Sequence, residues 1–406
     1  EGGGDEGRED HRKQMFRGIA KPIHDIFQKL AQTDNFSKVK YMGDIPRKIR
    51  IGVSLLHGVG RTSGRKSFRL CHEFVAGYLG ACAKLVDVYG DDDRGREVVS
   101  SVLLLLMDTV EAQFPYCNQQ QALVLIESSL RAVDNYVKHR KTQYSDSKSS
   151  SKDQEEEDEG KFEDIQNILT LLSNLSTNNL DEIDPNMKEK ASDAVVSGIM
   201  LVMELLSSNL LHVPAVYTSF FSLLSECIVK FPRKLASMLI LNDTSPQSES
   251  AQLQEKFTHC IHFSLSHPDP QVVRSGLRAL RAMVLTIIQN SPNGAVQQQG
   301  LSKIFSMQKV LLKMLLIEKL SSSLINPIAD TLFPLIIASP AAYAEVARGI
   351  ISGTADERER SRVQRGMEEL LQRNGLKREL TPSNRDVFRT NVREFIGSVR
   401  SILQKR

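Results

Sequence analysis

Apolar residues recur at intervals of three and four along most of this chain, which is the pattern of amphipathic α-helices. Residues 103–114, 195–206 and 277–288 show the pattern most clearly. The two-residue alternation of apolar and polar side chains that indicates a half-buried β-strand is absent. The spacing therefore predicts an all-α protein.

The periodicity predicts fifteen helices joined mostly by short turns. Asp269-Pro270 is a suitable start for one helix, and Ser383 or Asn384 for the last, because such side chains accept a hydrogen bond from a first-turn N–H group. Prolines are expected at helix starts or joints, at positions 115, 214, 232, 270, 327, 334 and 340. The predicted helices are 11–31, 45–59, 67–89, 95–114, 118–139, 161–177, 188–211, 214–230, 249–267, 270–290, 294–319, 322–338, 340–352, 356–374 and 384–404.

Helix pairs begin near residues 67, 118, 188, 249 and 294, and short turns imply that neighbouring helices run antiparallel. Repeats of about 40–47 residues built from such pairs are typical of the HEAT and armadillo classes. The predicted fold is therefore a HEAT/armadillo-like α-solenoid, a right-handed superhelix of antiparallel helix pairs. A large all-α enzyme with a buried pocket is the structural alternative.

Length, charge and hydropathy exclude several classes of protein. A chain of 406 residues is too long for one compact core and fits two or three domains or one array of repeats. Its net charge of +3 provides no strongly basic footprint for nucleic acid. No uninterrupted apolar run approaches the roughly 18 residues of a transmembrane helix, so no membrane span is expected. The scattered set of 5 cysteines indicates reduced, packed thiols of a cytosolic or nuclear protein.

Two segments interrupt the helical pattern. Residues 141–160 combine serine and charge without a large aliphatic side chain, and residues 242–249 are similar. Both are predicted to be exposed and disordered, and the acidic run 155–159 is interpreted as a solvated insertion. The predicted organisation has four parts, listed by residue number: a partly disordered N-terminal extension with a first helix (1–44), HEAT-like repeats (45–140), the disordered insertion (141–160), and C-terminal HEAT-like repeats ending in a capping helix (161–406).

Motifs that would carry chemistry are incomplete. Residues 58–67 resemble a phosphate loop, but only three residues separate Gly60 from Gly64, and Arg65 intervenes before Lys66. A flexible basic turn between helices is predicted instead.

Two other clusters were considered for catalysis or metal binding. His259 and His262 share a helix face, with His267 further on, but four ligands at zinc spacing are lacking. Cys71 and His72 are sequence neighbours on a predicted helix, so their side chains point too far apart to act as nucleophile and base. No catalytic, cofactor-binding or metal-ligating residue is assigned, and the chain is not expected to be an enzyme.

The C-terminal stretch 354–406 holds 13 basic and 8 acidic residues. Arg358, Arg360, Arg362 and Arg365 alternate with carboxylates at spacings that allow i,i+4 ion pairs. The expected arrangement is a solvated polar face, with a surface for an anionic partner as the alternative.

Several segments in order resemble the importin-β (karyopherin-β) superfamily of nuclear transport receptors. Residues 192–238 have the shape of a family repeat: a helix ending in leucines, a Pro-led helix with aromatic residues, and a Phe231-Pro232 joint. Residues 55–60 and 162–175 resemble the family's neighbouring helices, and 257–288, 307–332 and 386–403 follow in the family's order. The resemblance covers about residues 45–406.

The resemblance implies the C-terminal half of a nuclear export receptor that acts by binding and not by catalysis, with no cofactor. It implies a monomer that carries protein cargo together with Ran-GTP through the nuclear pore, shuttling between nucleus and cytoplasm. Nucleoporin Phe-Gly repeats are expected to bind grooves between outer helices, and neither nucleic acid nor a membrane is an expected partner. The chain begins at Glu1 without Met, so it is interpreted as a fragment whose missing N-terminal half makes the main Ran contacts. The alternative is a HEAT-repeat scaffold or adaptor with no role in transport.

Overall fold

The computed structural model describes residues 14, 17–18, 20–28, 40–62, 67–91, 93–146, 154–177, 185–206, 213–231, 249–290, 304–316, 321–354 and 356–403. Across these ranges the regular structure is helical and no strand occurs, which confirms the all-α prediction. Residues 20–28 are helical. The helices that follow are α1 (Ile45–Arg61), α2 (Phe68–Tyr89), α3 (Arg96–Gln113), α4 (Gln119–Asp146), α5 (Gln154–Thr177), α6 (Pro185–Leu205), α7 (Pro214–Lys230), α8 (Glu249–Leu265), α9 (Pro270–Asn290), α10 (Met307–Leu316), α11 (Ser322–Ala338), α12 (Pro340–Ser352), α13 (Glu357–Gln372) and α14 (Pro382–Leu403).

The chain divides into two compact units, and the first comprises residues Glu1–Ser219. Its helices pack most extensively on the next helix but one: α1 on α3 and α3 on α5 form one layer, and α2 on α4 and α4 on α6 form the other. Contacts between α2 and α3 and between α5 and α6 join the layers. Two stacked layers of alternate helices are the arrangement of an α-solenoid, as predicted.

The second unit comprises residues Phe220–Arg406 and repeats the two-layer arrangement. The helices α8, α10 and α12 follow one another in one layer, and α9, α11 and α14 in the other. The helix α13 packs against both α12 and α14. The C-terminal helix α14, predicted to cap the array, packs on α10, α11 and α13. These contacts bury Phe388, Phe395 and Val399.

Local signals account for where several helices begin. Asp269 Oδ1 accepts from the Gln271 N–H at 2.8 Å, which confirms the predicted start of α9. The start of α14 differs from the prediction, because Thr381 Oγ1 accepts from the Asn384 N–H at 3.2 Å and neither Ser383 nor Asn384 is the cap. A proline at position 382 occupies the first turn, where its missing N–H group has no intrahelical partner.

The prediction that prolines lie at helix ends is wrong for Pro327 and Pro334, which lie inside α11. A proline inside a helix removes one backbone hydrogen bond. Polar side chains surround the altered turns: Thr331 Oγ1 donates to the Pro327 carbonyl at 2.9 Å. Buried Gln308 of α10 donates to the Leu335 carbonyl at 2.9 Å. These two hydrogen bonds lie close to the prolines, one within α11 and one between α10 and α11.

The predicted disordered insertion is largely helical. The helix α4 continues to Asp146 and α5 begins at Gln154, so residues 141–146 and 154–160 belong to helices, and residues 147–153 lie outside the described part of the chain. Lys, Gln and Glu have good helix propensity, so extending an anchored helix into solvent costs little. The second predicted loop, 242–249, lies outside the described residues except Glu249, where α8 begins.

By length and mean hydropathy, the segment Arg96–Tyr116 could cross a membrane, and α11 with α12 would pass the same test as one span bent by 115°. In the structure α3 packs between α1 and α5. Most of its apolar side chains, among them Val102, Leu103 and Leu106, are buried by protein. The hydropathy of α3 thus matches a helix that is covered by neighbours on more than one face.

Glycines allow some of these helices to approach closely. A Cβ atom added at Gly366 of α13 would lie 2.6 Å from Val399 Cγ2 and 3.2 Å from Phe395 Cδ2 of α14. By contrast, Gly397 of α14 has no atom within 4 Å of its Cβ direction. The α13–α14 contact therefore depends on the absence of a side chain at Gly366.

These two glycines provide a matched test of the α13–α14 contact. Gly366→Ala should lower the free energy of unfolding by about 1–3 kcal/mol, because the methyl group overpacks the contact. Gly397→Ala should raise it by about 0.5–1 kcal/mol, because alanine has the higher helix propensity and there is open space. Urea unfolding of both variants checks the prediction, and equal effects at the two sites would contradict the close packing.

Phe395 tests whether stability is local to neighbouring helices. Its side chain is 3% exposed, so Phe395→Ala should cost about 3–5 kcal/mol. In a stacked array the loss acts first on nearest neighbours, here α10, α11 and α13. Amide hydrogen exchange should lose protection in those helices and retain it in α1–α6. A uniform loss along the chain would indicate a single cooperative core.

Candidate functional site: a groove between two helices

An open groove lies between α12 and α13 in the second unit. The two helices are joined by a short turn, and each begins at a side-chain cap: the Ala342 N–H donates to Ser339 Oγ at 3.4 Å, and the Glu359 N–H donates to Asp356 Oδ1 at 2.8 Å. Tyr343 near the start of α12 contacts Met367 near the end of α13. The helices are therefore antiparallel neighbours.

The groove encloses about 770 Å³. Tyr343, Ala347 and Met367 form a buried floor. Small residues on α12 leave the space, since Ala344 and Ala347 face it where longer side chains would fill it. The remaining lining residues are Pro340, Arg348, Ile351, Ser352, Arg360, Gln364, Glu368, Leu371, Gln372 and Arg378.

Tyr343 fixes the width of the groove. Its hydroxyl donates to the Met367 backbone carbonyl at 2.9 Å and lies 3.6 Å from Met367 Sδ. Burial raises the pKa of Tyr343 above its usual range, so the side chain stays a neutral phenol. Because the Tyr343 O–H group already donates to the Met367 carbonyl, it is not free to donate to a ligand. The floor therefore offers a ligand mainly apolar contacts.

The charged residues of the rim are partly engaged by the protein itself. Arg360 donates through Nε and Nη2 to the Thr354 carbonyl, at 3.1 and 2.9 Å. Glu368 accepts from Gln364 Nε2 at 3.0 Å. With charges of both signs at the edge and carbon at the bottom, the groove is suited to hold an apolar side chain of a polypeptide. It holds no pairing of nucleophile and base.

The sequence-predicted turn at residues 58–67 is partly helical. Gly58 and Gly60 lie in α1, and residues 63–66 lie outside the described residues. The Gly60 carbonyl accepts from Gln113 Nε2 of α3 at 3.2 Å. The glycine at position 60 therefore contributes to packing between α1 and α3.

His72 does not pair with Cys71 but lies near another cysteine, which sequence spacing missed. Cys117 Sγ is 3.9 Å from His72 Nδ1, and the same nitrogen is 2.9 Å from Gln113 Oε1. Burial raises the pKa of Cys117 to about 12 and lowers that of His72. Both groups are neutral at physiological pH, so the pair lacks the thiolate of a cysteine nucleophile.

The other cysteines are buried, and His267 takes part in a turn. All five thiols are buried, and burial raises the pKa to about 12 for Cys82, Cys227 and Cys260. His267 accepts from the Asp269 N–H at 3.1 Å at the turn into α9. Within the described ranges, no three His, Cys, Asp or Glu side chains come close enough to share a metal ion.

The arginine-rich face predicted at residues 358–365 lies on α13, with Arg358, Arg362 and Arg365 exposed. The predicted i,i+4 ion pairs of these arginines do not form within the described residues; the i,i+4 pair found nearby joins Arg373 Nη1 and Glu369 Oε2, at 3.5 Å. The exposed arginines point to solvent, as expected of a polar face.

A buried carboxylate lies where α3, α4 and α5 meet. Asp164 is 0% exposed, and Ser100 Oγ donates to its Oδ1 at 2.5 Å. Arg140 Nη2 is 4.0 Å from Asp164 Oδ2, and its guanidinium lies 5.4 Å from the centre of the Tyr136 ring. Burial raises the pKa of Asp164 to about 6, although the Ser100 hydrogen bond and the Arg140 charge act to lower it.

Comparison with known proteins gives little information about function. No protein-family model matches the chain. One similar solved structure is the crystal structure of an engineered protein from the Northeast Structural Genomics Consortium. It is 13% identical, with a TM-score of 0.43, and the match covers 79% of this chain and 97% of that chain.

Asp164 should make stability depend on pH in a defined direction. Since its folded pKa of about 6 exceeds the ordinary value of 3.8, the folded state binds the proton more tightly, and this contribution to stability rises as pH falls through 6. Relative to Asp164→Asn, the wild-type protein should gain about 1 kcal/mol between about pH 7.5 and pH 5. Urea unfolding at each pH measures the difference.

Asp134→Asn, at a partly exposed carboxylate of α4, is the control for losing one negative charge. A difference between wild type and Asp164→Asn that stays constant over this pH range would show that Asp164 is not protonated there.

Proposed function

We propose that this chain is the C-terminal half of an exportin-4-like nuclear export receptor of the importin-β superfamily. Two observations support the proposal: the resemblance of ordered sequence segments to that family, and the stacking of alternate helices in both units. An α-solenoid offers long surfaces for protein partners and no catalytic centre is required. Protein cargo and Ran-GTP would bind together in the nucleus, and each would raise the affinity of the receptor for the other. GTP hydrolysis on Ran would then release the cargo in the cytoplasm.

The groove between α12 and α13 is the surface that we connect with this function. It is an apolar slot between consecutive helices, with a floor of Tyr343, Ala347 and Met367 and a polar rim. A phenylalanine side chain fits such a site by burying its ring while the flanking glycines keep the peptide close to the rim. The groove is therefore assigned to nucleoporin Phe-Gly repeats.

Filling the groove should weaken Phe-Gly binding. Ala344 lines the groove and is exposed, so Ala344→Phe occupies the slot without disturbing buried side chains. Ala341 is exposed on the same helix and does not line the groove, so Ala341→Phe is the matched control. In titrations with a Phe-Gly repeat peptide, Ala344→Phe should bind at least about fivefold more weakly, which corresponds to about 1 kcal/mol.

Equal affinity of the two variants for the Phe-Gly peptide would show that the groove is not the binding site. A peptide with serine in place of phenylalanine should not bind wild type, because the site gains its affinity from apolar burial.

A second experiment separates an exportin from a HEAT-repeat scaffold or adaptor. Both would have stacked helices and apolar grooves. Capture of cargo from nuclear extract by the full-length protein should increase when Ran carries GTP and fall when it carries GDP. Capture that is independent of the Ran nucleotide would favour the scaffold.

A further inference from the structure

Three neighbouring helices of the second unit bring an excess of arginine side chains together. The helix α11 packs against α9 on one side and α14 on the other. The helix α9 carries Arg274, Arg278 and Arg281 and no carboxylate. The helix α14 carries Arg385, Arg389 and Arg393 at four-residue spacing, which places them in one row. These six arginines, with Asn326 and Asp330 of α11, are called the arginine surface below.

Hydrogen bonds join α14 to α11 at this surface. Arg389 donates to both oxygens of Asp330, from Nε at 2.6 Å and from Nη2 at 2.5 Å. Arg393 Nη2 donates to Asn326 Oδ1 at 2.9 Å. Two-point contact between a guanidinium and a carboxylate fixes the direction of both groups, so Arg389 is held rigidly in the middle of the surface.

Arg281 of α9 interacts electrostatically with the same group of charged side chains. The charges of Asp330, Arg385 and Arg389 all act on Arg281, which is half-buried. Burial lowers the pKa of Arg281, and the two neighbouring arginines act in the same direction. The charge of Asp330 acts in the opposite direction and raises it. Asp330 is thus the carboxylate whose charge acts on Arg281, and both of its oxygens already accept hydrogen bonds from Arg389.

Arg274 Nη1 donates to Gln271 Oε1 at 3.3 Å, whereas the side chains of Arg281 and Arg385 form no hydrogen bond within the described residues. Of the carboxylates on these helices, Asp386 binds Arg389 at 2.8 Å and Glu394 binds Arg373 at 3.1 Å. Like charges that act on one another across a partly buried surface cost free energy. An anion bound beside Arg281 and Arg385 would offset this repulsion.

We propose that the arginine surface binds an acidic segment of a partner protein, whose carboxylates contact Arg281 and Arg385. The chemistry favours a peptide over nucleic acid. Asp330 and Asp386 lie among the arginines and would repel a continuous phosphodiester chain, whereas separated carboxylates of a peptide can avoid them. The whole chain also has a net charge of only +3, so it lacks the extended positive field of a nucleic-acid surface. This proposal does not depend on a role in nuclear export.

The test uses the full chain and a fluorescein-labelled twelve-residue peptide in which glutamates alternate with glycine and serine. Binding is followed by fluorescence anisotropy at low and moderate salt. The double variant Arg281→Gln/Arg385→Gln should bind this peptide at least about tenfold more weakly, because it removes two unpaired donors. Because the variant loses the attraction of Asp330 and also the repulsion of Arg389, its Tm should stay close to that of wild type.

The control Arg358→Gln/Arg362→Gln removes the same charge from exposed positions of α13 and should change the affinity less than about twofold, since exposed charges contribute little. Lysine at positions 281 and 385 should give intermediate affinity. It keeps the positive charge but lacks the planar guanidinium group, whose N–H donors can bind both oxygens of a carboxylate. Equal weakening by both glutamine double variants would mean that only net charge matters and would overturn the proposal.

Two further outcomes bear on the class of partner. A glutamine version of the peptide should not bind, and binding by it would exclude carboxylate recognition. A single-stranded oligonucleotide of the same length should compete poorly. If it binds more tightly than the peptide and loses affinity in the Arg281→Gln/Arg385→Gln variant, the surface belongs to nucleic acid and the peptide proposal is wrong.

Discussion

Most helices of the first unit, and several of the second, pack on the next helix but one, and the other features of the fold follow from this packing. It requires a helix to bury apolar residues toward two neighbours in its own layer and toward the opposite layer. The helix α3 meets this requirement between α1 and α5, and its hydropathy consequently approaches that of a membrane span. The same requirement explains why Gly366 is used where α13 meets α14, since the helices approach closely there. Because contacts are to near neighbours, each unit is extended by adding helices and not by enlarging one core.

Two clusters of polar groups buried in these layers are paired across helices. His72, Gln113 and Cys117 contact one another between α2 and the end of α3, and Ser100, Arg140 and Asp164 connect α3, α4 and α5. Burial keeps the thiol and imidazole of the first cluster neutral. Such clusters fix which surfaces of the helices face each other, because a shifted register would leave each group without its partner. Their chemistry is consequently structural.

The two surfaces that we propose as binding sites differ in chemistry and in origin. The groove between α12 and α13 exists because small side chains on α12 leave space above Tyr343 and Met367. The arginine surface exists because α11 provides one central carboxylate, Asp330, between two helices that each contribute a row of arginines. One surface offers apolar burial and the other offers directed charge. A binding protein with both can engage two partners by independent interactions.

The helical class, the approximate helix limits and the serial arrangement follow from the sequence, because 3.6-residue periodicity and cap residues act within single helices. The continuation of α4 and α5 into the Ser- and Glu-rich stretch does not, because helix propensity and an anchored preceding turn outweigh a lack of apolar residues there. Nor does the position of Pro327 and Pro334 inside α11, since that helix is held by packing on α9, α10 and α14. The groove, the Cys117–His72 contact and the arginine surface were decided by tertiary structure alone. Each joins residues from different helices, and the spacing of residues along a chain does not specify which helix faces meet.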